Sequence, residues 1–289
     1  MTMEAVQDWT NWLAGTRRLS LATVEGYSRE LKSLATKFPS LDAMEFKTKH
    51  LNQHLAERRL MDNVGEATVK RAVAAYKSFF GYVCGKKSPA RDMPYPRVPR
   101  KIQKSLTWEE FQAIACACDT RTAKGARDLA IICLLIDTGL RASELCNLRL
   151  ADVDLQRGWL KAIVKGGDEG VGLFTEYTTL QLAAWLSVRQ TYANDETLFV
   201  SLRGGKRLTR QGLKCELRKL GTRAGVVGLC PHRFRRAFAS LTTENGGPSR
   251  LVQDGGRWGS EAVFRLYSQY ARLDGLRPFL PTARMTEAS

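Results

Sequence analysis

Residues 231–241 carry a group of side chains suited to holding a phosphate. If this stretch is helical, His232, Arg235 and Arg236 share one face. The opposite face is apolar, through Phe234, Ala237, Phe238 and Leu241 at the spacing i, i+3, i+4, i+7. Guanidinium groups bind phosphate oxygens with two hydrogen bonds at once and stay charged, so this face predicts a phosphate pocket rather than a metal site.

A further arginine lies upstream with a carboxylate beside it. Arg141 and Glu144 are spaced i and i+3, so the carboxylate can orient the guanidinium while its other edge faces a phosphate. Taken alone, this pair could be an ordinary surface ion pair, and a basic helix face is more often just solvated. The Arg141–Glu144 pair followed by the His232–Arg235 face is a far more specific indication of a phosphate site than either motif alone.

Three more candidates complete the set. Lys165 lies between the two arginine groups, in a Lys-Gly-Gly turn that joins two predicted strands. Trp258 follows His232 by 26 residues, and Tyr267 follows Trp258 by nine. A lysine in a turn is ordinarily solvated, so only its place between the arginine groups marks it as a candidate.

The order of these motifs resembles the tyrosine recombinase (phage integrase) family. The motifs that carry the resemblance are Thr-Gly-Leu-Arg-x-x-Glu-Leu at residues 138–145, Lys-Gly at residue 165, His-x-x-Arg at residues 232–235, and then Trp258 and Tyr267. The resemblance implies six catalytic residues: Arg141, Lys165, His232, Arg235, Trp258 and Tyr267. It also implies an orienting role for Glu144.

The chain departs from the family pattern in three places. Phe-Arg-Arg at residues 234–236 stands where Leu-Arg-His is common, and Gly-Arg-Trp at residues 256–258 stands where Leu-Gly-His is common. Asp-Glu-Gly at residues 168–170 replaces a further Lys-x-Arg. The first departure leaves Arg236 as a second candidate arginine on the same face, and the third makes the hairpin tip acidic.

The resemblance also implies a reaction. Tyr267 would attack a DNA phosphodiester, leaving a 3′-phosphotyrosine and a free 5′-hydroxyl. A phenol has an ordinary pKa of about 10, so His232 is expected to help remove its proton, and Lys165 to protonate the 5′-oxygen. Because Arg141 and Arg235 can neutralise the phosphate oxygens, we expect no metal, no ATP and no other cofactor.

The composition agrees with a polyanionic partner. The chain has 289 residues, 44% of them hydrophobic, which is enough for two globular domains. Its 45 Lys and Arg against 29 Asp and Glu give a formal charge of +16. Such an excess favours binding to phosphates through counterion release, although ribosomal, RNA-binding and membrane-surface proteins share this property.

The cysteines and histidines predict no metal site. The seven cysteines are odd in number and scattered, as expected of free thiols in a reducing cytosol. His50 and His54 have helix-ligand spacing but no acidic or cysteine partner. No stretch resembles a signal peptide or a membrane span, so we expect a cytoplasmic, nucleoid-associated protein.

The first 85 residues predict an all-helical bundle of four helices. Helix starts are expected at Ser20 and Thr48 as caps, with Leu21 on the apolar side of the second helix. The pattern Leu-Ser-x-x-Thr-x-x-x-Tyr at residues 19–27 resembles the core-binding domain of the same recombinases. We therefore assign residues 1–85 to a helical, SAM-like DNA-binding domain.

Residues 86–104 predict a basic, semi-extended linker. Four prolines exclude a regular helix, and seven Lys and Arg stand against one Asp. The linker is either an ordinary solvated tether or a strap against the DNA backbone. The candidate DNA contacts are Lys86, Lys87, Arg97, Arg100, Lys101 and Lys104, to which Arg207 and Arg210 at a predicted helix start and Arg236 are added.

Residues 105–289 are expected to form the catalytic domain. Residues 127–136 predict a buried helix capped by a left-handed Gly139, and residues 159–164 and 171–174 predict a hairpin. The predicted fold class is mainly α with a small β-hairpin or sheet. In the tail, at about residues 273–289, an apolar periodicity predicts two helical turns. The tail either docks onto its own domain or, as the corresponding family segment often does, crosses to a neighbouring subunit. On the second alternative, we expect truncation after Arg272 to spare the fold and half-site binding but to remove cooperative assembly.

The expected function is that of a site-specific DNA recombinase. The expected partners are double-stranded DNA, further copies of the chain as a dimer on each site and a tetramer in the synapse, accessory DNA-bending proteins, and no membrane. Two alternatives stay open at this point. One is a type IB topoisomerase with the same site, and the other is an architectural DNA-binding protein without chemistry.

Overall fold

The structure is a computed structural model that describes residues 3–17, 19–98, 105–163, 167–257 and 276–282. The contacts divide the chain into two compact units, Met1–Ile102 and Gln103–Ser289. The described residues are mainly helical with one small antiparallel sheet, so the predicted fold class is confirmed. None of the helices in these ranges is long and apolar enough to cross a membrane.

The N-terminal unit is built from four helices around an aromatic core. They are α1 (Met3–Gly15), α2 (Leu21–Lys37), α3 (Thr48–Leu60) and α4 (Glu66–Cys84), with short 3₁₀ helices at Ala43–Glu45 and Gly85–Lys87. The side chain of Ser20 caps α2 as predicted, accepting from the N–H of Thr23. Trp9, Phe79 and Phe80 are fully buried between the helices, which forms the expected bundle.

Two local predictions in this unit are wrong. Leu21 is 75% exposed, because it is the first residue of α2 and its side chain lies outside the bundle interior. Thr48 is the first helical residue of α3 rather than its cap. Its hydroxyl instead donates to the carbonyl oxygen of Pro89 at 2.8 Å.

A polar network is buried in this bundle. Glu30 accepts from Arg71 at 2.9 Å and also pairs with Arg58. Beside it, Nδ1 of His54 lies 2.6 Å from the Tyr76 hydroxyl, and Nε2 of the same ring lies 3.1 Å from the Ser33 hydroxyl. Both ring nitrogens of His54 therefore have partners, as in a structural core histidine.

The first part of the predicted linker packs with the N-terminal unit. Ala90 and Met93 are buried in its core, while Lys86, Lys87 and Arg97 are exposed. Arg100, Lys101 and Lys104 lie outside the described residues. The domain boundaries at residues 85 and 104 therefore stay a prediction.

The C-terminal unit contains seven described helices and a sheet. The helices are α5 (Trp108–Cys116), α6 (Ala123–Thr138), α7 (Ala142–Asn147), α8 (Glu176–Arg189), α9 (Arg210–Arg223), α10 (Pro231–Glu244) and α11 (Ser249–Gly255). The strands are β1 (Val153–Asp154), β2 (Trp159–Ile163) and β3 (Glu169–Leu173), and short 3₁₀ helices lie at Leu150–Asp152 and Arg277–Phe279.

Helix α6 lies at the centre of this unit and ends three residues before Arg141. Every residue from Gly125 to Thr138 is buried, so the prediction of a buried helix is confirmed. Gly139 ends the helix with φ of 58°, a left-handed conformation that glycine adopts without strain. A β-carbon at this residue would lie 2.9 Å from the ring of Phe238, so the close packing of α10 also requires glycine here.

The predicted hairpin is present, with one additional strand. Strands β2 and β3 pair antiparallel, with Leu160 opposite Gly172 and Ile163 opposite Glu169. The unpredicted β1 adds two residues at the edge of β2. Lys161 and Glu169 form an ion pair at 3.1 Å near the acidic end of the hairpin.

The described part of the tail packs on its own unit. Within residues 276–282, Arg277–Phe279 form a 3₁₀ helix rather than part of an α-helix, with Pro278 at its start, and the earlier part of the predicted turns lies outside the described residues. Leu276 and Leu280 are buried against Phe238 and neighbouring apolar side chains. A chain ending at Arg272 would lack these buried side chains, and the expectation that it keeps its fold stays a prediction.

Candidate functional site

The first arginine lies at the junction of α6 and α7. Arg141 is the N-cap residue of α7, and its guanidinium Nη1 donates to Oε1 of Glu144 at 2.6 Å. The backbone N–H of Arg141 donates to the other carboxylate oxygen at 2.9 Å. The side chain of Arg141 stays 37% exposed while that of Glu144 is 2% exposed. The predicted orienting contact is thus present, with the guanidinium open toward solvent.

The second group lies at the start of α10. The apolar stripe predicted for this helix is buried, which leaves His232, Arg235 and Arg236 on one side around an open cavity of about 610 Å³. His232 is exposed, but Arg235 is only 4% exposed. Its Nη1 donates to the carbonyl oxygen of Gly139 at 2.5 Å, and its Nη2 donates to that of Gly256. The alternative of a merely solvated face does not hold for Arg235, because backbone carbonyls on two other segments accept hydrogen bonds from its guanidinium.

The arginine charges act on the histidine. Partial burial, together with the charges of Arg236, Arg235 and Arg141, lowers the pKa of His232 below its usual range. The imidazole is therefore neutral at neutral pH and can accept a proton. Because charges from both helices act on His232, Arg141 on α7 and the arginines of α10 form one electrostatic cluster.

Sequence reasoning missed a further arginine in this cluster. The guanidinium of Arg257, which follows α11, donates to the carbonyl oxygens of Val171 at 3.2 Å and of Thr138 at 2.9 Å. Its Nη2 also lies 3.5 Å from Oε2 of Glu144, and the side chain is 6% exposed. The signal was the Gly-Arg-Trp departure from Leu-Gly-His, which placed an arginine before Trp258 but gave no indication of its partners.

Glu144 is the single carboxylate shared by two of these guanidiniums. Burial alone would raise the pKa of Glu144, but the charges of Arg257 and Arg141, with hydrogen bonds from Arg141, hold it below its usual value. Burial, with the charges of Arg257 and Arg141, also lowers the pKa of Arg235 to about 10, so Arg235 remains charged at neutral pH. The three guanidiniums and one carboxylate leave a net charge of about +2, which suits a bound phosphate.

Three of the predicted catalytic residues lie outside the described residues. These are Lys165, Trp258 and Tyr267. The structure does fix the chain on both sides of the segment that carries the last two, at Arg257 and at Leu276.

The two candidate DNA contacts at the start of α9 are exposed. Arg207 donates to the side chain of Asn147 at 3.0 Å. Arg210 is the first residue of α9, which Thr209 caps, and it lines a cavity together with Lys214 and Pro231. This arrangement presents the N-terminus of a helix and two positive charges to solvent.

A buried aspartate also escaped the sequence reasoning. Asp137, in the last turn of α6, accepts from the N–H of Thr175 at 3.0 Å and the hydroxyl of Thr178 at 2.7 Å. It also accepts from the N–H of Thr282 at 3.2 Å. Burial raises the pKa of Asp137, while these hydrogen bonds oppose the rise. Asp137 thus connects the tail to the helix that leads into Arg141.

Comparisons with known proteins agree with this fold. A model described as the phage integrase family matches residues 104–272, and one described as the phage integrase N-terminal SAM-like domain matches residues 6–87. The tyrosine recombinase XerC of Corynebacterium efficiens is 33% identical over 264 residues, covering 87% of this chain and 82% of the relative.

Two solved structures share the fold. The XerH site-specific recombinase bound to palindromic difH substrate in a post-cleavage complex aligns with a TM-score of 0.69 at 20% identity, covering 93% of this chain and 83% of that chain. A lambda integrase dimer bound to a COC' core site aligns with a TM-score of 0.67 at 17% identity, covering 91% of this chain and 100% of that chain.

The chain belongs to the phage integrase family and is a site-specific tyrosine recombinase. The predicted family and enzyme class are therefore confirmed. Neither the topoisomerase nor the purely architectural alternative is favoured by these findings.

Proposed function

We propose that the protein cleaves and rejoins double-stranded DNA at specific sites through a 3′-phosphotyrosyl intermediate on Tyr267. The observation that carries this proposal is the cluster of Arg141, Arg235 and Arg257 around the carboxylate of Glu144. A scissile phosphate would supply the missing negative charge, and the charge that develops on its oxygens in the transition state would be stabilised most.

The proton steps follow from the surroundings of each group. The Tyr267 oxygen attacks phosphorus, its proton passes to neutral His232, and the bond from phosphorus to the 5′-oxygen breaks. Lys165 then protonates that oxygen, and Trp258 donates a hydrogen bond to the phosphate. The free 5′-hydroxyl of another strand reverses the sequence, so the bond energy is conserved without a nucleotide.

The assembly proposed for the reaction is a dimer on each site and a tetramer in the synapse. Its support is the lambda integrase structure, a dimer on a core site, together with the substrate-bound XerH structure. The DNA contacts would be spread over the exposed basic residues Lys86, Lys87, Arg97, Arg207 and Arg210 and the partly buried Arg236, with Arg100, Lys101 and Lys104 added from the linker. The protein would act in the cytoplasm on the nucleoid, with DNA-bending proteins as possible accessories.

The test begins with DNA flanking the native gene, footprinted to locate the bound site. The protein is then incubated with a nicked version of that site, and a covalent complex that survives denaturant is scored. We expect Tyr267→Phe to abolish the adduct and Tyr270→Phe, the matched control three residues away, to retain it. The reverse outcome would show that Tyr267 is not the nucleophile.

The same assay tests the metal requirement. Because fixed guanidiniums rather than an ion stabilise the phosphate in this proposal, EDTA should leave adduct formation unchanged. Loss of the adduct in EDTA, restored by added magnesium, would contradict the proposal.

A further inference from the structure

Arg257 occupies a backbone conformation that arginine does not favour. Its φ is 56°, in the left-handed region, where glycine is the usual residue. A side chain at such a residue persists only when its surroundings compensate for the strain. The compensation here is a set of contacts made by the guanidinium.

Those contacts join four separate parts of the C-terminal unit. The guanidinium of Arg257 donates to Thr138 at the end of α6, to Val171 in β3 and to Gly255 at the end of α11, and it pairs with Glu144 in α7. With its side chain only 6% exposed, Arg257 has no surface left for DNA. Its role must be exerted through its neighbours.

Its effect on Glu144 changes what Arg141 can do. Oε1 of Glu144 accepts from the guanidinium of Arg141, whereas Oε2 faces both the Arg141 N–H and the Arg257 guanidinium. Without Arg257, the whole charge of Glu144 would fall on Arg141 and neutralise it. With Arg257 present, part of the charge of Arg141 remains available to a phosphate.

Arg235 makes a second connection between the backbone around Arg257 and the end of α6. Arg235 donates to the carbonyl oxygens of Gly139 and Gly256, so residues 256–257 are bound to residues 138–139 by two guanidiniums. This holds the backbone immediately before Trp258 against the backbone that leads into Arg141.

We propose that Arg257 is a positioning residue for DNA cleavage, which holds Glu144 by its second oxygen and fixes the backbone entering Trp258, so that Arg141 stays aimed at the scissile phosphate. This inference rests on the proposed function. It assigns to the arginine in the Gly-Arg-Trp sequence a role that a glycine could not perform.

The test compares Arg257→Gly, Arg257→Lys, Glu144→Gln and the Arg257→Gly/Glu144→Gln double variant in the full chain. Glycine removes the guanidinium and accepts φ of 56° without strain, so a slower reaction in this variant reflects the lost contacts and not a strained backbone. Arg189→Ala is the matched control, because Arg189 is also buried and also donates to carbonyl oxygens, those of Thr197 and Leu198, away from the site.

We expect Arg257→Gly to slow single-turnover adduct formation at least tenfold while affinity for a single half-site stays within twofold. Arg257→Lys should recover part of the rate, and the double variant should be no slower than the slower single variant, since both changes act through one contact. Arg189→Ala should lower thermal stability without changing the rate. An Arg257→Gly rate within twofold of wild type, or losses that multiply in the double variant, would overturn the inference and leave the proposed function intact.

A second measurement is independent of cleavage. Inorganic phosphate is titrated into the protein and followed by the Nε–Hε NMR resonance of Arg141, assigned with Arg141→Lys. We expect Arg257→Gly to weaken phosphate binding at Arg141 at least threefold, and equal affinities would refute the role of Arg257. If the wild-type chain forms no adduct at all, the proposed function fails, and this titration still decides for or against Arg257.

Discussion

The buried carboxylate of Glu30 in the N-terminal unit and that of Glu144 in the C-terminal unit each hold two arginine side chains. Around Glu30, the arginines are Arg58 and Arg71, and Asp62 lies 3.8 Å from Arg58 as a second acid. Two positive charges thus face two negative ones. This cluster is electrically balanced and joins α2, α3 and α4 within the bundle.

The cluster around Glu144 has the same core but a different balance. Arg141 and Arg257 share the carboxylate, and Arg235 adds a third guanidinium, whose pKa is lowered by burial and by the charges of the other two. Glu144 is the carboxylate that acts on the pKa of both Arg235 and Arg257 among the described residues. The excess of positive charge lies beside a cavity, so it can be relieved by a ligand.

The histidines beside the two clusters differ in the same way. His54 has both ring nitrogens engaged by Tyr76 and Ser33 inside the bundle, whereas His232 is exposed at the cavity. Burial is the leading cause that lowers the pKa of each. The comparison teaches that a shared Arg-Glu-Arg arrangement does not by itself mark a catalytic site, and that uncompensated charge with an accessible proton acceptor does.

The largest effect should come from removing an arginine of each cluster. Arg141→Ala should slow adduct formation by about 10³-fold, because it removes a donor to the developing charge, while DNA affinity changes only a few-fold. Its counterpart Arg58→Ala should leave the cleavage rate unchanged and lower the free energy of unfolding by about 1–2 kcal/mol, since Glu30 retains Arg71.

Rates and affinities are measured on the same nicked DNA, and stability by thermal unfolding. If Arg141→Ala weakened binding and cleavage in parallel, Arg141 would be an anchor for the ground state. Arg235→Ala and Arg236→Ala belong to the same series, and a greater loss of rate from Arg236→Ala would transfer the second catalytic role to Arg236.

Substituting the shared carboxylate of each cluster should have a smaller effect on cleavage rate or stability. Glu144→Gln should slow cleavage by about 10- to 100-fold through misorientation of Arg141. Glu30→Gln should cost about 2 kcal/mol of stability and no cleavage activity, because it leaves two arginines of the bundle without their shared partner. Equal losses of cleavage rate in the two variants, measured well below their unfolding temperatures, would remove the distinction between the clusters.

The smallest effect concerns pH. Because the pKa of His232 is lowered, the wild-type cleavage rate should change less than about twofold between pH 7.5 and 6.5, then fall as His232 becomes protonated. For His54, the folded-state pKa is below the unfolded value of about 6.5, so the unfolded state binds the proton more readily. Its contribution to stability is therefore complete above pH 6.5 and declines at lower pH.

The two histidine variants separate these pH effects. His54→Gln should flatten the loss of stability between pH 7 and 5.5 without altering the pH profile of cleavage. His232→Gln should alter the pH profile of cleavage without flattening the loss of stability. A stability profile that His54→Gln leaves unchanged would mean that other groups govern acid sensitivity.

Local patterns in the sequence were sufficient to predict the helices that position the site. The buried α6, its left-handed end at Gly139 and the apolar stripe of α10 all follow from spacing and residue type, and so does the contact between Arg141 and Glu144 at i, i+3. Each of these depends on residues close together in the chain.

Contacts to distant backbone atoms could not be predicted in this way. Arg235 is buried because the carbonyls of Gly139 and Gly256 accept from it, and Arg257 because those of Thr138 and Val171 do. Carbonyl groups are present at every residue, so they leave no pattern in the sequence. The packing partners of the tail could not be predicted for a related reason, because its apolar spacing indicated a buried face while the residues that cover Leu276 and Leu280 lie far upstream.

The anchored tail sets a limit on how far the nucleophile can travel. Tyr267 lies nine residues before Leu276, which is buried in the C-terminal unit, and ten residues after Arg257. A fully extended chain spans at most about 3.3–3.6 Å per residue, so Tyr267 is tethered within roughly 30 Å of the Leu276 anchor. Any phosphate that it attacks, on the DNA of its own subunit or of a neighbour, must fall inside that radius, which corresponds to roughly nine base pairs along B-form DNA.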